Sequence, residues 1–367
     1  MFFFNIILIV YVFIILSSVY GFFILSNKKY YKHKVNSKIV KITVIVPFRN
    51  ESLRIKQLLD SFNIQVDKSI INEIIFIDDH SSDNSCEIIS QWINSTSIRS
   101  KIVSLEQNQG KKHAIFLGFQ SASNQYILTF DSDVNFNKYF FLKIREVICF
   151  DKGLYVFPVV ENLGFVFSQI ESHILSIFTI GMINLKYPIL ANGACLLINR
   201  DDFLKYNPFK TNYKIHSGDD LFILESFKKN NVSIVATSPY IFSIFTNGPI
   251  TLRSYLSRSL RWSGKMSNIK LPLTKFYGLI ILITNLIALL MFYQFIFNNS
   301  NEALIYLLIK LCLDLTITYL ATNHFKNKKL FIFSFPLFFL YPFYLLVNSI
   351  LLLFKYPNFW KGRKVIN

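Results

Sequence analysis

Glycine-rich phosphate cradles are missing from this 367-residue chain: no G-x-G-x-x-G follows its first strand, and no G-x-x-x-x-G-K-[ST] occurs anywhere. The dinucleotide and P-loop fingerprints are therefore absent. Cysteine is scarce too. Cys86, Cys149, Cys195 and Cys312 have no paired spacing, which argues against a zinc site and fits a reducing compartment. Acids are few, 22 against 39 lysines and arginines, giving a net charge of +17. That excess invites a nucleic-acid reading, but no recognised nucleic-acid module accompanies it. Its placement points elsewhere. Lys28, Lys29, Lys32, Lys34, Lys38 and Lys41 directly follow an apolar run over residues 2–25, and Lys355, Lys361, Arg363 and Lys364 follow the last such run. Basic residues beside spans mark the cytoplasmic side and attract anionic lipid.

Apolar residues are what the chain has in plenty: 52% are hydrophobic and 17% aromatic. A membrane-attached protein with one sizeable soluble domain is expected. Residues 2–25 are long enough to span a bilayer. They lack the basic head and small-residue cleavage site of a signal peptide, so an uncleaved anchor is expected. Further apolar runs cover 276–297, 303–321 and 330–354. The expected organisation is an anchor (1–27), a basic linker (28–40), a cytoplasmic domain (41–270), C-terminal membrane helices (271–356) and a basic tail (357–367). Four full crossings would put that tail on the far side from the domain, against the charge rule. Either one C-terminal segment is interfacial or re-entrant, or 330–354 is broken at Pro336 and Pro342. Lys310 and Asp314, one helical turn apart inside the third run, either pair with each other or line a polar groove.

In the soluble part, strands and helices alternate. Strands are predicted over 41–48, 71–79, 101–106 and 125–133, and helices over 52–62, 86–93 and 110–122. Alternation of this kind gives an α/β fold with a mostly parallel, doubly wound sheet, which binds ligands beyond the carboxyl ends of its strands. The loop 47–51, the pair Asp78/Asp79 and the pair Asp131/Asp133 all lie at those ends. Adjacent carboxylates resist burial unless a cation joins them. Mg²⁺ or Mn²⁺, which take carboxylate and phosphate oxygens, would suit a nucleotide held partly through metal. An isolated Asp-x-Asp is otherwise an ordinary solvated turn.

The segments "VIVPFRNE", "IDDHSSDNS", "NQGKKHAI", "FDSD", "NGACLLINRDDF", "SGDDLFI" and "RSLRW" occur in this order. The series resembles family 2 glycosyltransferases over about residues 40–265. Those are inverting enzymes of the GT-A fold, with cellulose, chitin and hyaluronan synthases among the membrane-bound members. The resemblance implies that Pro47 and Glu51 border the base and ribose pocket and that Asp79, with Asp78 beside it, contacts the base. Lys111 would lie near the nucleotide phosphates or ribose. Asp133 would ligate the metal, and Asp131 would contact ribose or metal. Asp220 would be the general base. It heads a helical run with Asp219, where carboxylates are also natural caps. "RSLRW" corresponds to the family's Q-x-x-R-W, with Arg258 in the glutamine position. Arg258 and Arg261 would serve diphosphate or acceptor, and Trp262 would offer an apolar wall; an interfacial Arg/Trp belt is the alternative. Phe116 stands where the synthases often carry asparagine.

The implied function is a metal-dependent (Mg²⁺ or Mn²⁺), inverting hexosyltransferase-type enzyme of the inner, cytoplasmic membrane. It would move a sugar from a nucleotide-diphosphate donor to a lipid or lipid-linked acceptor, with bilayer and no nucleic acid among its partners. Processive polysaccharide synthesis is the alternative, and a non-catalytic sugar-nucleotide-binding subunit is the alternative from another class. Residues 165–185 are apolar but interrupted by Gln169, Glu171 and His173. A buried or membrane-surface helix is expected there rather than a further span, with His173 a core histidine.

Overall fold

The computed structural model describes residues 2–25, 40–147, 151–215, 217–265, 268–354, 358–360 and 363–365. The expected basic linker therefore falls, up to residue 39, outside the described residues. Of the tail, only the short antiparallel pair Asn358–Trp360 and Arg363–Val365 is described.

The strands are β1 (Ile42–Phe48), β2 (Ile71–Asp78), β3 (Ser100–Ser104), β4 (Tyr126–Phe130), β5 (Val134–Phe136), β6 (Leu154–Val156), β7 (Val159–Leu163), β8 (Cys195–Asn199), β9 (Ile234–Ala236) and β10 (Ile244–Asn247). The main sheet runs β3-β2-β1-β4-β8-β6-β9. β1 pairs in parallel with both β2 and β4, and β2 with β3. The "CLLIN" strand β8 enters antiparallel to β4 and β6, so the sheet is mostly rather than wholly parallel. A smaller sheet, β5-β10-β7, sits beside it.

The helices are α1 (Phe2–Tyr20), α2 (Ile55–Asn63), α3 (Ser85–Ser95), α4 (Lys111–Ser121), α5 (Phe140–Val147), α6 (Val166–Asn184), α7 (Arg200–Tyr206), α8 (Asp219–Lys229), α9 (Leu252–Lys265), α10 (Pro272–Asn298), α11 (Asn301–His324) and α12 (Ser334–Leu353). Sequence pattern explains how they cover the sheet. All of β1 is buried, as a central parallel strand of β-branched residues must be. Ile42, Val44 and Val46 face a core shared with Ile55, Leu58, Leu59 and Phe62 of α2, which recur at helical spacing. Ile45 faces the other way, onto Ala114, Ile115 and Phe119 of α4. Gly118 lets α4 come close, since a Cβ there would lie 2.7 Å from Ile45 Cγ2.

The α4 side of the sheet is fused to the apolar helices. One core runs from Ile45 and Ile127 through Ile177 and Ile180 of α6 to Ile14 of α1, Ala288 of α10 and Tyr306 of α11. α1, continued by a π-helical turn over Gly21–Leu25, touches α6 at small residues: a Cβ on Gly21 would overlap the Gly181 carbonyl, and one on Gly181 would overlap that of Ser18. Close backbone approach through small residues is how helices pack where lipid gives no hydrophobic incentive.

Among the described residues, five helical segments are long and apolar enough to cross a membrane: Phe3–Ile24, Val166–Asn184, Pro272–Asn298, Asn301–His324 and Lys328–Leu353. α6 thus meets the length criterion, yet it is the most covered of the five, 72% buried, and His173 is a core residue whose Nδ1 lies 2.6 Å from the Gln169 carbonyl. Of the two alternatives for the C-terminal segments, a break at Pro336 and Pro342 is not found. A short 3₁₀ turn, Lys328–Phe333, leads into α12, which continues through Pro342. Pro336 falls in the first helical turn, where a missing N–H costs nothing. Lys310 and Asp314 pair at 2.6 Å, and Tyr11 donates to the same carboxylate at 2.6 Å.

Candidate active site

The carboxyl ends of β1, β2 and β4 open into a cavity of about 970 Å³ that runs on between the apolar helices. Pro47, Glu51, Asp79, Lys111, Asp131, Asp133, Asp219, Asp220, Arg258, Arg261 and Trp262 all line it. Asp78 is not on this wall; its Oδ1 accepts the Ser81 N–H at 2.9 Å. Residues far apart in the chain thus meet at one sheet edge, because parallel strands point their ends the same way.

Asp79 accepts the N–H groups of Gln109 and Gly110 at 2.7 and 2.8 Å. Gly110 has φ 96 and caps α4, so Asp79 fixes the turn from which Lys111 projects. Lys111 Nζ then bridges two acids, Asp131 Oδ1 at 2.7 Å and Asp219 Oδ2 at 2.8 Å. Burial works against this ammonium, but Asp131 and Asp219 outweigh it and hold its pKa above the ordinary lysine value. Burial pushes Asp131 up to about 6; Lys111 opposes that rise, while Asp133 and Asp219 add to it. The neighbouring Lys112 is buried, donates to the Asn212 carbonyl at 2.8 Å and lies 4.1 Å from the Phe222 ring centroid.

Asp133 meets Arg54 at 3.4 Å, and Arg54 also pairs with the buried Glu51 at 2.8 Å. Among the described residues, Lys111 and Arg54 are thus the side-chain cations that meet Asp131 and Asp133. Arg54 was not singled out from sequence, although its i,i+3 spacing from Glu51 is a helical ion-pair signal. Asp219 and Asp220 head α8 after Gly218, whose φ is 87. Carboxylates are favoured at that end by the helix dipole, and Asp220 Oδ1 accepts the Leu221 N–H at 2.8 Å.

Gly193, in the loop before β8, was also missed. A Cβ there would stand 2.7 Å from Asp219 Oδ2 and 3.4 Å from both Asp220 Cβ and Lys111 Nζ. From the other side, α9 brings Arg261. Burial lowers its pKa, while Asp131, Asp219, Asp220 and Asp133 act to raise it. Arg258 is paired instead with Glu161 and stacks 4.4 Å from the Trp262 ring centroid. Phe116 packs beside Phe203 and Tyr213.

Among the described residues no three His, Cys, Asp or Glu side chains gather into a complete metal cage. Asp131 and Asp133 offer hard carboxylate oxygens at the cavity, and the other oxygens that such an ion needs would come from water and a diphosphate. That donor set fits Mg²⁺ or Mn²⁺.

Residues 43–205 match the sequence model of "Glycosyl transferase family 2". Curated relatives include undecaprenyl-phosphate 4-deoxy-4-formamido-L-arabinose transferases of Yersinia pestis (strain Pestoides F) and Yersinia pseudotuberculosis serotype O:3 (strain YPIII). Each is 32% identical over 102 residues, 27% of this chain and 31% of the relative. The chain thus spans about a third of the length of the curated relatives it matches. A mannosyltransferase from Pyrobaculum calidifontis, solved with GDP-Man and Mn²⁺, has a similar fold, with TM-score 0.55 at 13% identity over 94% of this chain and 99% of that one. Residues 43–205 are thus similar in sequence to family 2 glycosyltransferases, and the chain has a GT-A-like α/β fold with a mostly parallel sheet.

Proposed function

We propose that this protein is an inverting glycosyltransferase that moves a sugar from a nucleotide-diphosphate donor to a lipid or lipid-linked acceptor at the cytoplasmic membrane face. The observation that carries the acceptor class is the course of the cavity. It leads from the acid cluster to walls formed by Tyr11 of α1, Glu171 of α6, Lys310 of α11 and Tyr341 of α12. An acceptor carried on an apolar chain could reach the acids from between those helices without leaving the membrane. The curated relatives, named for undecaprenyl phosphate, agree with that class.

In this reading Pro47, Glu51 and Asp79 border the nucleoside, and Lys111 and Arg261 face the diphosphate. Asp131 and Asp133 would hold Mg²⁺ or Mn²⁺, which when bound offsets charge on the departing nucleoside diphosphate. Lys111 then serves twice, neutralising Asp131 and Asp219 without donor and meeting phosphate when donor arrives. With a lipid-linked sugar as acceptor, Asp220 takes the proton from its hydroxyl as that oxygen attacks the anomeric carbon opposite the leaving group. Trp262 gives the acceptor an apolar face.

Purified protein given UDP- and GDP-linked sugars with Mn²⁺ is expected to release nucleoside diphosphate from at least one, and EDTA to stop the release. No metal-dependent release from any donor would contradict the proposal. Gly193→Ala supplies a finer check. Its Cβ must displace the Asp219 carboxylate, the mobile end of a side chain, so folding should suffer by only about 1 kcal/mol. Misplacement of the acids should nonetheless slow transfer by about 10–100-fold. Thermal unfolding and turnover, measured on the same preparation, check both halves.

A further inference from the structure

Arg258 occupies the glutamine position of the family's motif, and two acids outside every motif surround it. Its side chain is 12% exposed and contacts Glu161 of β7. It donates to Ser168 Oγ at 2.6 Å and lies 3.8 Å from Glu171 Oε2, both on α6. Glu161, at 3% exposure, accepts from Ser168 Oγ, while its own N–H donates to Ser172 Oγ at 3.0 Å. A Cβ on Gly248 would collide with the Glu161 carboxylate, so the loop that follows β10 also closes on it. Tyr341 of α12 donates to Glu171 at 3.2 Å. The guanidinium stacks over Trp262 and lies 5.7 Å from the centroid of Tyr255.

The small sheet, α6, α9 and α12 therefore meet at one buried charge cluster. Its fixed partner on α9 is one helical turn from Arg261 and in contact with Trp262. We propose that Glu161 and Arg258 are positioning residues, whose pair fixes α9 on the corner between β7 and α6 and so holds Arg261 and Trp262 at the acid cluster. The inference rests on the transferase reading above. Arginine is tolerated at position 258 because Glu161 is there to meet it. Glutamine at 258, the family's usual residue, would leave Glu161 buried without its cation, a costly arrangement, whereas removing both charges together relieves it.

The full-length protein should respond accordingly in transfer kinetics. Arg258→Gln is expected to lower kcat by about a hundredfold and to raise donor KM by a smaller factor, as a misplacement of α9 that carries Arg261 off the diphosphate would. Arg258→Gln combined with Glu161→Gln is expected to recover at least about tenfold of that loss, the non-additivity of a coupled pair. If Arg258→Gln does not fold, Arg258→Lys keeps the charge and loses the fork; it should unfold near the wild-type temperature yet show a reduced kcat. A double variant no better than Arg258→Gln, or full kcat in Arg258→Lys, would overturn the pair's role. An inactive wild type measured alongside would instead contradict the transferase reading, so the two failures are told apart.

Discussion

Asp220→Asn is expected to lower sugar transfer by about a thousandfold, within the range that a positioned general base contributes, while donor affinity stays near that of the wild type. The substitution is close to isosteric. The amide oxygen of the new side chain can still accept the Leu221 N–H that Asp220 accepts at 2.8 Å, so the start of α8 and the neighbouring Asp219–Lys111 pair should persist. What is lost is the ability to take a proton from the acceptor hydroxyl. The loss should therefore fall on kcat and leave the binding of the sugar nucleotide alone. Equilibrium binding of donor with Mn²⁺, compared with turnover, separates the two. A drop in donor affinity as large as the drop in rate would remove Asp220 from the role of base.

Asp133→Asn should fail in the opposite way. Asp131 and Asp133 are the carboxylates proposed for the ion, and Asp131 is already engaged by Lys111 at 2.7 Å. Losing Asp133 takes one of two protein ligands and leaves Arg54 paired with Glu51 alone. Changes to partners of metal ligands already cost about 10–100-fold in metal affinity, and loss of a ligand should cost at least as much. Metal-dependent donor binding is the quantity to measure. Equal donor affinity in wild type and Asp133→Asn would contradict the metal assignment, whatever happened to turnover.

The contrast depends on geometry that was only partly legible in the sequence. The strands were readable because β-branched runs such as "ITVIVPF" stand between helical stripes, and the order of acids at their ends followed from parallel winding. The need for a cation beside Asp131 and Asp133 was readable as well. The side-chain cations that meet them were not. Lys111 reaches Asp131 and Asp219 across 20 and 108 residues of chain, and that meeting is made by the sheet, not by any local pattern. β8 runs antiparallel beside β4, and no periodicity in "CLLIN" distinguishes that direction. Glu161 in "VVENLG" is a lone acid in sequence; only the fold brings it to Arg258. α6 reads as apolar with polar interruptions, and Ser168, Glu171 and Ser172 take on meaning once α9 and α12 cover them. Pro342 left a break open as one alternative because proline inside a helix is usually disruptive in water, whereas helices packed among apolar neighbours tolerate it.

The cavity that joins the acid cluster to the apolar helices makes one measurement decisive for the proposed acceptor. Membranes carrying the protein are given a radiolabelled sugar nucleotide with Mn²⁺, and the products are divided into organic-soluble lipid and insoluble polymer. Label is expected in the lipid fraction with the wild type and in neither fraction with Asp220→Asn. Label that accumulates in polymer, or lipid labelling that survives Asp220→Asn, would contradict the account.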